Sequence, residues 1–209
     1  MTRIEQLIST YPELDVCSSD IQAAFEILRT CYRSGGKVLT CGNGGSAADA
    51  EHIVGELMKG YFLKRPVPEE MRLKLVSNTS QESDYLVRHL QRALPTISLV
   101  SQSSLISAIA NDTAADMVFA QQVYGYGREG DTLLGLSTSG NARNVIHAMQ
   151  VALALGLHTV ALTGPTGGML KPLCEVSICV PGESTPAIQE RHLPIYHVLC
   201  AMLEEEFFA

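Results

Sequence analysis

The sequence predicts an α/β protein, a three-layer sandwich with a central parallel sheet and helices on both faces. Three observations predict it. Five short apolar runs, at 37–41, 96–100, 132–136, 159–162 and 176–180, have the length and content of buried strands. Segments of helical periodicity separate most of them, and that alternation builds parallel sheets. Two of the runs end in polar turns containing glycine, 42–46 and 137–141. In parallel sheets ligands bind beyond the carboxyl ends of the strands.

Each element has its own justification. Residues 2–10 read as an amphipathic helix. A second, about 18–34, carries the apolar stripe Ile21, Ala24, Phe25, Leu28, Cys31 and Tyr32, and Ser34-Gly35-Gly36 ends it. Strand 37–41 leads through the glycine turn into a helix of about 46–59. Residues 63–78, with Pro66, Pro68 and Asn78, read as loop. Thr79 and Glu82 form a capping-box pattern that starts a helix to about Leu94, where Pro95 stops it. Strand 96–100 precedes short helices at 103–110 and 116–124. Strand 132–136 ends in Ser137-Thr138-Ser139-Gly140-Asn141, and a helix at 142–155 follows. Gly156 turns the chain into strand 159–162. Strand 176–180 and loop 181–185 lead into a last helix of about 187–207. No repeat or linker interrupts the run, so residues 1–209 read as one domain.

Composition narrows the function classes. Hydrophobic residues make up 46% and charged residues 18%, enough apolar content for a large core. A net charge of −7 argues against nucleic-acid binding, which needs a basic face. No apolar stretch reaches the ~18 residues of a membrane span, and the polar start is no signal peptide. The six cysteines form no C-x-x-C pair, and they read as reduced core thiols of a cytoplasmic protein.

Two turns and two residue pairs carry the candidate chemistry. Asn43-Gly44-Gly45-Ser46 follows a strand and opens a helix, where backbone N–H groups and the helix dipole favour an anion. It matches neither a Walker loop nor G-x-G-x-x-G, and tight-turn chemistry alone explains it equally well. Ser137-Thr138-Ser139 places three hydroxyls before a helix, which suits a phosphate; a helix N-cap needs only one. His52 and Glu56, four residues apart, share one helix face just past the glycine turn. Gln189 and His197 lie in the last helix, where a histidine can equally be a structural one. Eight residues of unbroken helix separate them by about 12 Å. Pro194 between them either bends that helix or marks its true start.

Taken in order, seven motifs resemble the sugar isomerase (SIS) superfamily, and within it the phosphoheptose isomerase family. They are Cys-Gly-Asn-Gly-Gly-Ser (41–46), His-x-x-x-Glu (52–56), Ala-x-x-Asn-Asp (108–112) and Gly-Arg-Glu-Gly-Asp (127–131). Leu-x-Leu-Ser-Thr-Ser-Gly-Asn (134–141), Leu-Thr-Gly (162–164) and Ile-Gln-Glu-x-His (188–192) complete the set. The resemblance covers about residues 18–207. It implies a flavodoxin-like SIS domain, here with N-terminal helices and an inserted segment at about 67–92. It also implies a homotetramer with active sites between subunits, and isomerisation of a phosphorylated ketose, sedoheptulose 7-phosphate, to the aldose through an enediol.

Residue by residue, the resemblance makes Glu56 the general base and His197 the acid. It puts Asn43, Gly44, Gly45, Ser46, Asn111, Asp112, Ser137, Thr138, Ser139 and Gln189 on the substrate. It makes His52, Glu56, Gln189 and His197 the ligands of one Zn2+ per active site. Glutamine is an unusual zinc ligand, whereas imidazole and carboxylate are ordinary ones.

The chain departs from the family pattern at three substrate positions. Ala142 stands where the family has a serine, with Arg143 next to it as a replacement donor. Gly60 replaces an arginine, beside Lys59, and Pro186 replaces an aspartate. These changes bear on the sugar more than on the reaction, so an isomerase of another sugar phosphate is one alternative. A non-catalytic SIS protein of the initiator-associating type is the other. Such proteins lack the base and acid positions that this chain keeps. The 67–92 segment carries Tyr85, Arg88 and His89 and reads as a surface helix or as a cap over the site.

Overall fold

The computed structural model describes residues 1–78 and 82–209. Its sheet has five parallel strands: β1 (Val38–Cys41), β2 (Thr96–Ser98), β3 (Thr132–Ser137), β4 (His158–Thr163) and β5 (Val176–Cys179), in the order β2-β1-β3-β4-β5. β1 and β3 are completely buried, as expected for strands covered on both faces. The chain leaves β1 toward one edge and returns at β3 toward the other. The order therefore reverses between β1 and β3, the position where parallel sheets of this kind bind ligands.

Side chains alternate between the two faces and divide the core in two. On one face Val38, Leu134, Leu136, Val160 and Leu162 pack under four helices. These are α1 (Arg3–Thr10), α2 (Ser18–Arg33), α3 (Gly45–Met58) and the 24-residue α9 (Thr185–Phe208). On the other, Leu39, Cys41, Leu133 and Ala161 pack under α6 (Ser103–Asp112), α7 (Ala120–Tyr126) and α8 (Arg143–Ala154). All six cysteines are free, and four are buried. Among the described residues, no helix is long and apolar enough to cross a membrane.

Three elements differ from the sequence expectation. Residues 69–78, expected as loop, form α4 (Glu69–Asn78). Glu69 pairs with Arg72 and Glu70 with Lys74, so ion pairs three and four residues apart hold a helix without a buried face. The expected helix to Leu94 is the shorter α5 (Ser83–His89), which packs on α4; the proposed cap at Thr79 lies outside the described residues. Leu94 is instead in extended chain, buried, with its N–H on the carbonyl of Leu57. The expected helix at 116–124 is split into a 3-10 turn at Ala115–Met117 and α7.

Pro194 neither starts α9 nor interrupts it: the helix runs through it from a Ser184 cap. Proline removes one donor, so the carbonyl of Glu190 loses its usual partner within the helix. The surrounding packing outweighs that cost, since Ile188, His192, Ile195, Tyr196 and Leu199 are all buried.

Candidate active site

The glycine loop follows β1 and the serine loop follows β3, so the two lie at the same end of neighbouring strands, where strand order reverses. Two hydrogen bonds tie the glycine loop to the first turn of α8, just past the serine loop. Asn43 Nδ2 donates to Asn144 Oδ1 at 2.9 Å, and Asn144 Nδ2 donates to Asn43 Oδ1 at 2.8 Å. Gly44 has φ +56°, in the left-handed region that glycine adopts without strain. At Gly45 a Cβ would lie 1.9 Å from Nε2 of Gln189, so α9 presses directly on the loop.

The serine loop is built as a turn into α8. Gly140 N–H donates to the Ser137 carbonyl at 2.9 Å, and Asn141 N–H donates to Ser139 Oγ at 3.1 Å. Gly164 N–H supports the loop from β4 through the Thr138 carbonyl. Ser137 is buried, Thr138 half-buried and Ser139 exposed. Ala142 offers α8 no side-chain cap, which leaves N–H groups at that helix start for a ligand. Arg143, expected as the replacement donor, is paired with Asp116 at 3.2 Å instead.

Helices α3 and α9 lie side by side and bring the titratable residues together. His52 Nε2 stands 3.2 Å from Glu56 Oε1 and 3.5 Å from His197 Nε2. The His52 and His197 rings pack edge-on, 4.9 Å between centroids. Burial pushes the His197 pKa down and the nearby His52 adds to that, while Glu56 pulls it up. Oε2 of Glu56 is buried without a hydrogen bond, and Lys59 Nζ is 3.7 Å from it. A cavity of about 290 Å³ reaches His197, lined also by Arg3, Tyr61 and Phe62. A larger one of about 630 Å³, between Gly60–Pro66 and α5, is lined by Gly60 but by none of the residues expected to bind substrate or metal.

The remaining candidates are placed as follows. Gln189 lies at Gly45 and interacts with Asp49, one turn before His52. Ser46 is buried at the start of α3. Asn111 and Asp112 end α6, exposed, and bond each other at 2.8 Å. Among the described residues, neither bonds to the two loops or to the α3–α9 cluster.

Three groups escaped the sequence reading. Asn144 pairs with Asn43. Asp49 and Tyr196 meet behind His52, where Tyr196 Oη is 3.2 Å from Asp49 Oδ1 and 3.0 Å from His52 Nδ1. Burial raises the pKa of both Asp49 and Tyr196. A third device fixes the end of α3. Arg65, fully buried, donates to Glu204 Oε1 at 2.8 Å and to the carbonyls of Leu57 and Glu56 at 2.7 and 3.1 Å. Glu204 also accepts from the N–H groups of Tyr61, Phe62 and Leu63. Burial alone would raise its pKa, but these bonds and Arg65 bring it below the ordinary range.

Whether this cluster suits a metal depends on its donors. Among the described residues, no three His, Cys, Asp or Glu side chains are arranged to hold a metal ion. The donor types of His52, His197 and Glu56, two imidazoles and a carboxylate with one buried oxygen that makes no hydrogen bond, are those zinc takes.

Comparison with known proteins places the whole chain rather than any single residue. A family model described as the SIS domain matches residues 13–90 and 86–164. The phosphoheptose isomerase of Akkermansia muciniphila is 36% identical over 202 residues, 97% of this chain and 93% of that protein. That of a Nitratiruptor species is 42% identical over 171 residues, 82% and 78% of the two. Among solved structures, the phosphoheptose isomerase of Neisseria gonorrhoeae superposes with a TM-score of 0.70 at 31% identity, covering 95% of this chain and 98% of that one. The one from Francisella tularensis gives 0.71 at 28% identity, covering 98% and 100%.

Proposed function

The chain belongs to the phosphoheptose isomerase family of SIS-domain proteins, and on that premise we infer that it interconverts a ketose and an aldose phosphate, with sedoheptulose 7-phosphate as the ketose. One observation carries the reading: Glu56 and His197, on different helices, both approach His52 on α3, the helix that follows the glycine loop.

The reaction moves a proton between neighbouring carbons through an enediol. It needs a carboxylate to take the proton beside the carbonyl and an acid to serve the oxygen. Glu56 fills the first role: its Oε2 makes no hydrogen bond and has Lys59 Nζ at 3.7 Å as its nearest charge. His197 fills the second; its lowered pKa makes it a better proton donor once charged. Ser137, Thr138, Ser139 and the open N-terminus of α8 bind the phosphate. Asn43, Gly44, Gly45, Ser46 and Gln189 orient the sugar from the glycine-loop side. Asn111 and Asp112 stand apart from these groups, which is consistent with their serving the site of a neighbouring subunit in a homotetramer. The protein works in the cytoplasm, as a single SIS domain with the 67–92 segment inserted.

By donor type His52, Glu56 and His197 would hold Zn2+ once their side chains move from an arrangement in which no three gather as ligands. Bound there, the ion would polarise the substrate carbonyl as a Lewis acid. Gln189 would complete the set only by leaving Gly45 and Asp49.

The test is an NMR isomerisation assay with sedoheptulose 7-phosphate, run with and without added zinc. Appearance of the aldose phosphate is expected. No conversion of this or any five- to seven-carbon ketose phosphate under either condition overturns the reading.

A further inference from the structure

We propose that Arg65 is a positioning residue for the base: with Glu204 it ties the last turn of α3 to α9, and that tie sets how far Glu56 stands from His197. The effect on rate rests on the isomerase reading above; the tie itself does not.

Helix α3 ends without the usual partners for its last carbonyls. Lys59 is extended, with φ −141° and ψ 175°, and the N–H of Gly60 goes to Gln91 Oε1 at 2.7 Å instead of back to the helix. The guanidinium of Arg65 supplies the missing donors. Its Nη1 donates to the Leu57 carbonyl at 2.7 Å and its Nη2 to the Glu56 carbonyl at 3.1 Å. Its Nε donates to Glu204 Oε1 at 2.8 Å. Two acceptors thus belong to α3 and one to α9, and a rigid plane of donors fixes the angles between them. Phe208, also on α9, lies with its ring centroid 4.5 Å from Cζ of Arg65.

This tie is in register with the site. Glu204 follows His197 by two helical turns and so shares its face of α9. Glu56 is joined to α9 by two routes. Its side chain reaches His197 through His52, and its main chain reaches Glu204 through Arg65. At the other end of α3, Gln189 presses on Gly45. The two helices are therefore held at both ends, with the base and the acid between. Glu204 also accepts the N–H groups of Tyr61, Phe62 and Leu63 at 2.7, 2.7 and 3.1 Å. The Tyr61 ring stands 5.7 Å from the ring of His197, so the same carboxylate places an aromatic neighbour of the acid.

Stability alone does not account for a charged pair in this place. The side chains of Arg65 and Glu204 are 0% and 1% exposed, and a buried ion pair gains little over apolar packing of the same volume. Apolar groups would fill the space without fixing a distance. A base and an acid that act on one substrate need that distance fixed, since a displacement of about 1 Å costs on the order of 10²-fold in rate.

The experiment compares wild type with Arg65→Lys and Glu204→Asp. Lysine keeps the charge but is a point donor, so it does not hold Glu204 and both carbonyls in one plane. Aspartate keeps the carboxylate and draws it back by one methylene. Steady-state kinetics with sedoheptulose 7-phosphate are run at a temperature where circular dichroism shows each protein fully folded. Each variant should lower kcat about 10- to 100-fold with KM within twofold, because the serine loop is untouched. A pair that served stability alone would lower Tm and leave kcat per folded molecule at the wild-type value, and that result in a folded variant overturns the proposal. Crystal structures should show the Glu56–His197 separation altered by about 0.5 Å or more. An unaltered separation overturns the proposal too, whatever the rate. If Arg65→Lys does not fold, Glu204→Asp carries the test. A wild type without turnover would sink the isomerase reading and leave the positioning role to the crystal structures.

Discussion

His192 gives a stability measurement that tests how the last helix is anchored. It is fully buried, and its Nε2 is 3.2 Å from the Thr163 carbonyl. A carbonyl only accepts, so Nε2 bears the hydrogen, and Nδ1 is buried without a partner. Charging this ring would place a cation in the core, and burial lowers its pKa from 6.5 to about 4. The sign follows from proton counts. Between pH 6.5 and 4 the unfolded chain holds a proton on His192 that the folded chain does not, so stability falls as pH falls through that window. The span is 2.5 pH units, and at about 1.36 kcal/mol per unit the full linkage is about 3 kcal/mol. Between pH 7 and 5, with the folded ring still mostly neutral, about 2 kcal/mol of it is lost. His192→Gln keeps an N–H donor but does not titrate. Urea unfolding of both proteins at pH 7 and pH 5, at one protein concentration, isolates the residue from the other histidines. The stability advantage of wild type over the variant should shrink by about 2 kcal/mol at pH 5. A gap that stays constant to within about 0.5 kcal/mol would refute the buried neutral ring.

Three further outcomes are expected. Glu56→Gln should lower kcat by about 10²- to 10⁴-fold with an unchanged Tm and oligomer size by light scattering, and near-normal turnover would remove it as the base. Arg65→Met should cost about 3–5 kcal/mol in urea unfolding, because Glu204 stays buried with its counter-ion gone; a loss below about 1 kcal/mol would mean that the three backbone donors suffice. Asn144→Ala removes both bonds between the glycine loop and α8 and should raise KM up to about tenfold, and an unchanged KM in steady-state kinetics would show that the pairing is not needed for binding.

The sheet could be read from the sequence because each strand is a short apolar run, and such runs are interpretable one at a time. The two loops were readable as turns for a related reason, since glycine and hydroxyl residues directly after a strand favour tight turns and helix starts. His52 and Glu56 followed from spacing on one helix. What escaped were contacts between distant segments. Asn144 sits 101 positions from Asn43, and nothing local marks either as half of a pair. Tyr196 looks like one more apolar residue of α9 until its hydroxyl is seen to meet α3. The α4 helix was missed for the opposite reason. Pro66 and Pro68 just before it signal a loop locally, and its apolar residues fall without a clear period, so only the charge pairs reveal it. Pro194 misled in the same way, because packing overrides the local preference of proline.

The closure at the base of the α4–α5 hairpin has a consequence for how this chain can change over time. Pro66 and Gln91 form an antiparallel bridge, and the N–H of Arg92 donates to the carbonyl of Arg65 at 2.8 Å. The segment thus leaves and re-enters the domain at one point, and neither helix buries a residue. Length gained or lost between those two residues does not propagate to the strands or to α3. A duplication, a deletion or a grafted binding module is tolerable there at little thermodynamic penalty. A one-residue change within α9 would turn every later side chain by about 100° and dismantle the site. The hairpin is where descendants of this sequence are free to diverge in size while the chemistry stays fixed.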